Sequence, residues 1–303
     1  MKTIYRICIG MMLSLTMWSY IYASPDDVLF EVYNLQSGNV TEVLADDDTP
    51  ISWEGFDGTL PIMGDELGDV VAPNIVIGDD ERSVVNNPQN KTPYRSIGIV
   101  RATFENGTIL RGTGFLVAPS RVVTSAHVCY KSEYGNAINV TFTPCPSGTF
   151  APFGTISVSS TCIPYDYTYA FGPNSNEDVK SRYDYAVLIL VSPIGDTVGY
   201  MGCKKPSNPV NKNVIVSGYP SDFQNGYMSK SSGIIGSADT WFYYYDNDTY
   251  KGDSGAPVFR KYSDGTYYAI GVHHGGATQT SNKCVRFTTQ VLNFIANEYG
   301  FTS

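Results

Sequence analysis

The sequence lacks the features that mark nucleic-acid-binding, nucleotide-binding and membrane-spanning proteins. It has no basic cluster of the nucleic-acid type, and no Gly-rich phosphate loop follows a predicted strand. Beyond residues 1–23, no apolar run is long enough to cross a bilayer. No cysteine spacing or His/Cys cluster has the form of a metal site. We therefore expect no nucleic acid, metal or cofactor as a partner, and no membrane once residues 1–23 are removed.

Residues 1–23 have the pattern of a secretory signal peptide. Lys2 and Arg6 precede an apolar stretch from Ile7 to Trp18, and a small residue, Ala23, follows it. The stretch is too short for a transmembrane helix and fits a segment that is cleaved on export. The sequence therefore predicts a secreted protein.

Residues 24–74 differ in composition from the rest of the chain. They contain 12 of its 29 Asp and Glu residues and no Lys or Arg. An acidic stretch rich in Gly and Asp is poorly suited to a packed core. We interpret it as a propeptide that precedes a single domain of residues 75–303; the alternative is a solvated acidic tail retained in the mature protein.

Histidine is scarce, which narrows the search for a catalytic base to His127, His273 and His274. Ser254 lies between two glycines in Gly252-Asp-Ser-Gly255, a pattern typical of a hydroxyl exposed on a tight turn, although an ordinary surface turn would have the same pattern. A serine hydroxyl needs a positioned base to become a nucleophile. His127 lies in Arg121–Cys129, a β-branched run that ends in small residues, and this predicts a buried strand that carries His127 to the edge of a site. Asp184 directly precedes the apolar run 185–191.

The order His127, Asp184, Ser254, with gaps of 57 and 70 residues, resembles the chymotrypsin arrangement. The resemblance narrows at Ile270-Gly-Val-His-His-Gly-Gly276, which is similar to the glutamyl endopeptidases, the V8-like branch of that family. Further stretches agree in the family's order, namely 75–82, 184–187, 194–200 and 216–220.

The resemblance implies a serine endopeptidase that cuts protein or peptide substrates after Glu, and less well after Asp. Ser254 would be the nucleophile, His127 the base and Asp184 the residue that orients it, with the backbone N–H groups of Gly252 and Ser254 as the oxyanion hole. The substrate pocket would contain Thr249, His273 and Ile75, the expected first residue of the mature chain. An activating protease and a monomeric state are also expected.

Alternatives remain open for the function and for three of the residues. The chain could be an endopeptidase of another primary specificity, or a catalytically silent binding module with this fold. His273 could be a core histidine bonded to backbone, and for His274 that is the preferred interpretation. Cys129, near His127, could act as a thiol nucleophile.

One residue departs from the V8-like pattern. V8-like enzymes typically carry Asn immediately before the nucleophile, whereas this chain has Asp253, as trypsin-like enzymes do. In trypsin-like enzymes that Asp pairs with the α-amino group released on activation, and in V8-like enzymes the α-amino group instead helps to hold the substrate's carboxylate. Both roles remain open for the Ile75 amine.

The strand pattern predicts an all-β fold of two antiparallel six-stranded barrels of the chymotrypsin type. The first barrel is expected at about 90–195, the second at about 210–287, and a C-terminal helix at about 289–299. The predicted strands are 97–104, 109–117, 138–142, 185–191, 214–216 and 267–273. Once Cys8 is removed with the signal, five cysteines remain, so disulfides are expected with at least one thiol left over and no pairing determined. These are Cys129, Cys145, Cys162, Cys203 and Cys284.

Overall fold

We analysed a computed structural model of the chain, which describes residues 28–44, 76–169, 177–223 and 226–297. The predicted signal peptide, most of the predicted propeptide and the predicted mature start at Ile75 lie outside these ranges.

The described residues form eighteen strands and five α-helices. The strands are β1 (Val28–Asn34), β2 (Val40–Leu44), β3 (Ser83–Val84), β4 (Ile97–Thr103), β5 (Ile109–Ala118), β6 (Arg121–Thr124), β7 (Tyr130–Lys131), β8 (Gly135–Asn136), β9 (Asn139–Pro144), β10 (Ile156–Pro164), β11 (Ala186–Leu190), β12 (Gly202–Cys203), β13 (Asn213–Gly218), β14 (Ser229–Ala238), β15 (Phe242–Tyr245), β16 (Pro257–Lys261), β17 (Tyr267–Thr278) and β18 (Ser281–Arg286). The helices are α1 (Ala126–Cys129), α2 (Tyr165–Tyr169), α3 (Glu177–Arg182), α4 (Gly195–Val198) and α5 (Thr289–Ala296).

Twelve of the strands close into two antiparallel six-stranded barrels. The first has the order β11-β6-β5-β4-β9-β10 and closes through pairing of β10 with β11; the second has the order β17-β16-β13-β14-β15-β18 and closes through pairing of β17 with β18. In β9, Val140, Phe142 and Pro144 are buried while their neighbours are more exposed, the alternation expected of a barrel wall. The predicted fold, including its C-terminal helix, is confirmed.

The apolar core divides into three clusters. One is made of first-barrel residues such as Val100 and Leu116, and a second of second-barrel residues such as Val214 and Val258. The third combines residues of both barrels, among them Phe115 and Phe259, so it lies between the barrels and joins them. Residues 112–118 of β5 are all buried, because this strand lies between the first barrel's interior and the second barrel.

The segment interpreted as unsuited to a packed core forms ordered structure in part. Residues 28–44 make a hairpin, and β1 pairs with β10 over Phe30–Asn34. Strand β9 pairs with only the first part of β10, at Ile156 and Ser157. The rest of that edge of β10 is free of β9, and β1 pairs with it. Val32 is buried in the core between the barrels. This hairpin was not predicted from the sequence because the acidic composition of residues 24–74 was weighed above the apolar residues of the two strands.

The C-terminal helix begins as predicted and is shorter than expected. Thr288 caps it by accepting a hydrogen bond from the Val291 N–H, 3.2 Å, and the described helix ends at Ala296. Phe294 packs edge-on against Tyr185 of the first barrel, with ring centroids 5.0 Å apart. None of the described helices combines the length and apolar character that a bilayer crossing requires.

The expected disulfides are not present in the described structure. All five described cysteines are buried free thiols. Cys129 lies in the first-barrel core, Cys284 in the second-barrel core, and Cys145, Cys162 and Cys203 in the core between the barrels. Here the cysteines act as small apolar core residues.

We predict that Gly98→Ala destabilises the first barrel by about 1–3 kcal/mol, because an added Cβ would overpack this site. It would lie 2.4 Å from the Thr143 carbonyl oxygen and 2.6 Å from the Phe142 ring. Urea unfolding on a Ser254→Ala background, which avoids self-digestion, measures the change. Gly236→Ala is the matched control: its Cβ would meet nothing within 4 Å. Equal stability of the two variants would contradict the packing account.

Candidate active site

His127 reaches the site through a helical turn, and the predicted strand is shorter than expected. Strand β6 ends at Thr124, the chain turns at Ser125, and His127 lies in α1. The backbone N–H of His127 donates to Asp184 Oδ1 at 2.9 Å, which fixes this turn against the start of β11. Strand β6 therefore ends three residues before His127, and the Asp184 carboxylate holds the helical turn that follows it.

Asp184 is a buried carboxylate with three N–H donors. Besides the His127 backbone, His127 Nδ1 lies 2.6 Å from Asp184 Oδ2, and His274 Nδ1 lies 2.5 Å from the same oxygen. The Asp184 side chain is 1% exposed. Burial alone raises the pKa of this carboxyl, but the two imidazoles outweigh that effect and hold the pKa well below its usual value.

The preferred interpretation of His274 as a core histidine bonded to backbone is wrong. Its side chain is 26% exposed, compared with 24% for His127, and it bonds a side-chain carboxylate. The two rings meet edge-on at 84° with centroids 5.9 Å apart. Position next to His273 was the only sequence signal for this residue.

His127, Asp184 and His274 are also the described residues whose ligand atoms could approach one metal ion, since these atoms lie within 4.8 Å of one another. The two N–O distances, 2.6 and 2.5 Å, are those of strong hydrogen bonds. Two ligands of one tetrahedral zinc, each at about 2.0–2.1 Å, would lie about 3.3 Å apart. The group is therefore a hydrogen-bonded network rather than a set of metal ligands.

The loop that carries Ser254 is bonded to the first barrel through Thr113 of β5. The Thr113 N–H donates to the Ser254 carbonyl at 2.8 Å, and the Thr113 hydroxyl donates to the Gly252 carbonyl at 2.8 Å. Ser254 is partly exposed. In the described residues no hydrogen bond joins its hydroxyl to His127; such bonds are often long before substrate binds.

Two glycines let this loop pack closely. Gly252 and Gly255 have φ values of 106° and 86°, where side chains are strained. A Cβ on Gly255 would lie 2.2 Å from the Thr113 carbonyl oxygen. The N–H groups of Asp253, Gly255 and Ala256 donate to backbone carbonyls, whereas those of Gly252 and Ser254 have no acceptor among the residues that the structure describes. These two amides are free to bind an oxyanion.

His273 lies beside this loop, fully enclosed. It is 2% exposed, its carbonyl accepts from Gly255 N–H at 2.9 Å, and its own N–H donates to Ala256 at 2.9 Å. Its ring Nδ1 lies 2.7 Å from the hydroxyl of Tyr245. Burial, chiefly, lowers the pKa of His273 to about 3. The alternative interpretation was a core histidine bonded to backbone, but the His273 ring bonds a side chain, that of Tyr245. Tyr245 was not singled out from the sequence.

Thr249 is buried, and its neighbour Asp248 holds the start of the described domain. Asp248 accepts from the backbone N–H groups of Ile77 and Glu81, both at 2.8 Å. Arg82, with a fully buried side chain, pairs with Asp222 at 2.8 Å and with Asp80 at 2.9 Å. Residues 76–82 are thus tied to the loop that contains Thr249, although Ile75 itself lies outside the described residues.

Asp253 is buried with one carboxylate oxygen bonded and one without a partner. Oδ2 accepts from Tyr250 N–H at 2.9 Å, while Oδ1 has no hydrogen-bond partner among the described residues. Burial raises the pKa of this carboxyl to about 7. A group that brings a proton or a positive charge to Oδ1 would lower the free-energy cost of burying this carboxylate.

Cys129 does not have the environment of a thiol nucleophile. It is fully buried, and burial raises its pKa to about 12. Reactive cysteines instead have lowered pKa values and partial exposure.

Comparison with known proteins agrees with this fold. A family profile described as "Trypsin-like peptidase domain" matches residues 112–272. The glutamyl endopeptidase of Bacillus licheniformis is 34% identical over 230 residues, covering 73% of this chain and 68% of that protein. A Bacillus subtilis protein named "Extracellular metalloprotease" is also 34% identical, over 226 residues covering 74% and 69%.

A solved structure of a Glu endopeptidase in complex with MPD superposes with a TM-score of 0.62 and 28% identity, covering 73% of this chain and 97% of that chain. The fold, the profile and the relatives agree. This chain belongs to the trypsin-like serine endopeptidases, in the V8-like branch that includes the glutamyl endopeptidases.

Proposed function

We propose that this protein is a secreted serine endopeptidase that cleaves peptide bonds preferentially after Glu, and less well after Asp. In this mechanism Ser254 attacks the scissile carbonyl and His127 takes its proton. Asp184 orients the imidazole and stabilises the imidazolium that forms. His127 then gives its proton to the leaving amine as the peptide C–N bond breaks, which leaves an ester on Ser254. Water, activated by His127, hydrolyses this ester and frees the Ser254 hydroxyl. The two free amides of Gly252 and Ser254 bind the oxyanion in both steps.

The hydrogen bonding of Asp184 supports the role given to His127. A donor bond from Nδ1 to the carboxylate leaves Nε2 unprotonated, which is the form needed to accept a proton from serine. The tie between Thr113 and the Ser254 loop supports a fixed distance between the nucleophile and this base.

We predict that Ser254→Ala lowers kcat by a factor on the order of 10⁶ and Asp184→Asn by about 10⁴, with His127→Ala as severe as Ser254→Ala. The losses should not add in double variants, because the residues act as one unit. Hydrolysis of a Glu-containing peptide by the processed variants measures them, with circular dichroism as the control for folding. Near-normal turnover by Ser254→Ala would eliminate the serine mechanism.

The buried ring of His273 is the observation that carries the preference for Glu. An acidic substrate side chain loses its hydration in a pocket and needs donors there. The Thr249 hydroxyl and the His273 ring are candidates, and Tyr245 fixes one ring nitrogen so that the other can face a ligand. The free His273 is neutral at pH 7, and a bound carboxylate would raise its pKa.

We predict that His273→Ala lowers kcat/KM for a Glu peptide about 100-fold and leaves the Gln analogue much less affected, since a bond to a charged group is lost. Tyr245→Phe should lower kcat/KM for the Glu peptide about tenfold, because the His273 ring would lose the hydrogen bond that orients it. Tyr244→Phe, on the same strand as Tyr245, is the matched control, because the Tyr244 hydroxyl bonds Asp239, an exposed residue of the turn before that strand. If His273→Ala matched the parent while His274→Ala did not, the pocket histidine would be misassigned.

Activation is proposed to require removal of residues 1–74. Residues 24–74 hold no Lys or Arg, and a Glu-specific self-cleavage cannot cut after Asn74, so a second protease would make the final cut. Ile77 N–H is held by Asp248, the neighbour of Thr249, and two residues span at most about 7 Å, so the described residues are compatible with a pocket role for the Ile75 amine. The unpartnered Asp253 Oδ1 is the competing partner for that amine.

We predict that the active enzyme begins at Ile75, which N-terminal sequencing checks. A fully active protein still carrying residues 60–74 would refute this processing. Asp253→Asn then separates the two roles of the amine. Largely intact activity favours the substrate pocket, whereas a zymogen-like inactive protein favours an ion pair with Asp253.

Two other functions receive less support. A different primary specificity is favoured by no observation on the described residues. A silent binding module is contrary to membership in the serine endopeptidases, and the bonded His127–Asp184 pair gives it no support.

A further inference from the structure

One carboxylate oxygen in this site serves two imidazoles. Asp184 Oδ2 lies 2.6 Å from His127 Nδ1 and 2.5 Å from His274 Nδ1, while Oδ1 is occupied by the His127 backbone N–H at 2.9 Å. Each ring must carry its proton on Nδ1 to make its bond. Both side chains are about one-quarter exposed, so each second ring nitrogen can exchange protons with solvent.

The shared oxygen makes the two rings compete for one negative charge. When His127 accepts the serine proton it becomes a cation, and the Asp184 charge stabilises that state. If His274 already carries a second proton, on Nε2, its positive charge offsets that of the carboxylate 2.5 Å away, and protonation of His127 forms a second cation with its ring centroid 5.9 Å from the first. Proton transfer to His127 is then opposed by repulsion rather than assisted.

We propose that His274 is a titratable positioning residue for the proposed triad. In the neutral state it donates Nδ1–H to Asp184 and holds the carboxylate against His127. In the protonated state it takes up the carboxylate's charge and makes His127 a poor base. The enzyme would therefore be switched off in acid by two protons rather than one.

Among the described residues, few other groups near His274 could gain or lose a proton between pH 4.5 and 8. Burial keeps His273 of β17 neutral and the Cys129 thiol of α1 protonated in mild acid. On β18, Lys283 lies opposite Gly275 and donates to Ser181 of α3 at 3.1 Å. Arg182 of α3 stacks on Trp241. Asp253, on the nucleophile loop, titrates near pH 7 and is common to every variant compared.

The test measures how fast a neutral fluorophosphonate labels Ser254 in the processed enzyme between pH 4.5 and 8. The Ser254 oxygen forms a bond to phosphorus, the phosphorus–fluorine bond breaks, fluoride leaves, and His127 takes the hydroxyl proton. The probe has no acidic side chain, so it does not depend on the Thr249–His273 pocket. A failure of the proposed Glu specificity would therefore leave this measurement intact.

The comparison uses the parent and the variants His274→Asn and His274→Ala. Asn offers a neutral N–H donor that does not titrate, and Ala offers none. We expect the parent's log rate to fall in acid in two steps, because the first proton opposes the second: its slope passes 1 and approaches 2 only below the second step. The log rate of His274→Asn should fall in one step of slope 1. At pH 5 the Asn variant should retain roughly tenfold more of its plateau rate than the parent. At the plateau, His274→Ala should be about tenfold slower than the parent and His274→Asn within about threefold.

Superimposable pH profiles of slope 1 for the parent and His274→Asn would overturn the proposal, as would an unchanged plateau rate in His274→Ala. If His274→Ala fails to fold, the slopes of the parent and His274→Asn decide the question alone. No labelling of the parent at any pH would overturn the proposed triad, and this inference with it.

Discussion

The buried carboxylate of Asp184 is the constraint on which the site depends. An ionised carboxylate removed from water costs several kcal/mol unless donors replace the water. Here the donors come from both barrels: two from His127 in the first and one from His274 in the second. The Asp184 charge has all three donors only where the two barrels bring His127 and His274 together. The same packing holds His127, the proposed base, at the edge of the interface between the barrels.

The second connection between the barrels is Thr113, which has four polar contacts. Its backbone N–H and hydroxyl bond the Ser254 loop, its hydroxyl also accepts from Tyr219 N–H at 2.9 Å, and its carbonyl accepts from the Thr124 hydroxyl at 2.7 Å. The glycine at 255 permits this contact because any side chain there would overlap the Thr113 carbonyl. The loop of the proposed nucleophile and the strand that precedes the proposed base thus both bond Thr113 of β5, although they belong to different barrels.

The proposed specificity pocket is connected to the same framework. The carbonyl of His273 accepts from the Gly255 N–H and from the Ser125 hydroxyl at 3.0 Å, one group from each barrel. Strand β17 therefore passes from the proposed pocket at His273 to the Asp184 network at His274 within one residue. Successive residues of a strand face opposite sides, which is why adjacent histidines can have separate surroundings.

Much of this was predictable from the sequence. The β-branched and aromatic runs indicated seven of the twelve barrel strands, and the order of His127, Asp184 and Ser254 indicated the family. The five barrel strands that were not predicted are β10, β14, β15, β16 and β18. The role of His274 was not predictable, because it depends on which face of β17 meets Asp184 across the barrel interface. Tyr245 was missed because a tyrosine in an aromatic run gives no sign of its hydroxyl's partner. The hairpin at 28–44 was missed because its net charge outweighed its alternating apolar residues.

The most direct test of the central claim is a mass-spectrometric map of every cleavage that the processed enzyme makes in an unstructured protein. The Ser254→Ala protein, prepared identically, defines the background. The account predicts new termini predominantly after Glu, fewer after Asp, and none in the Ser254→Ala digest. Cleavage after basic or aromatic residues at comparable frequency would contradict the assigned specificity, and an equal digest by Ser254→Ala would contradict the assigned nucleophile.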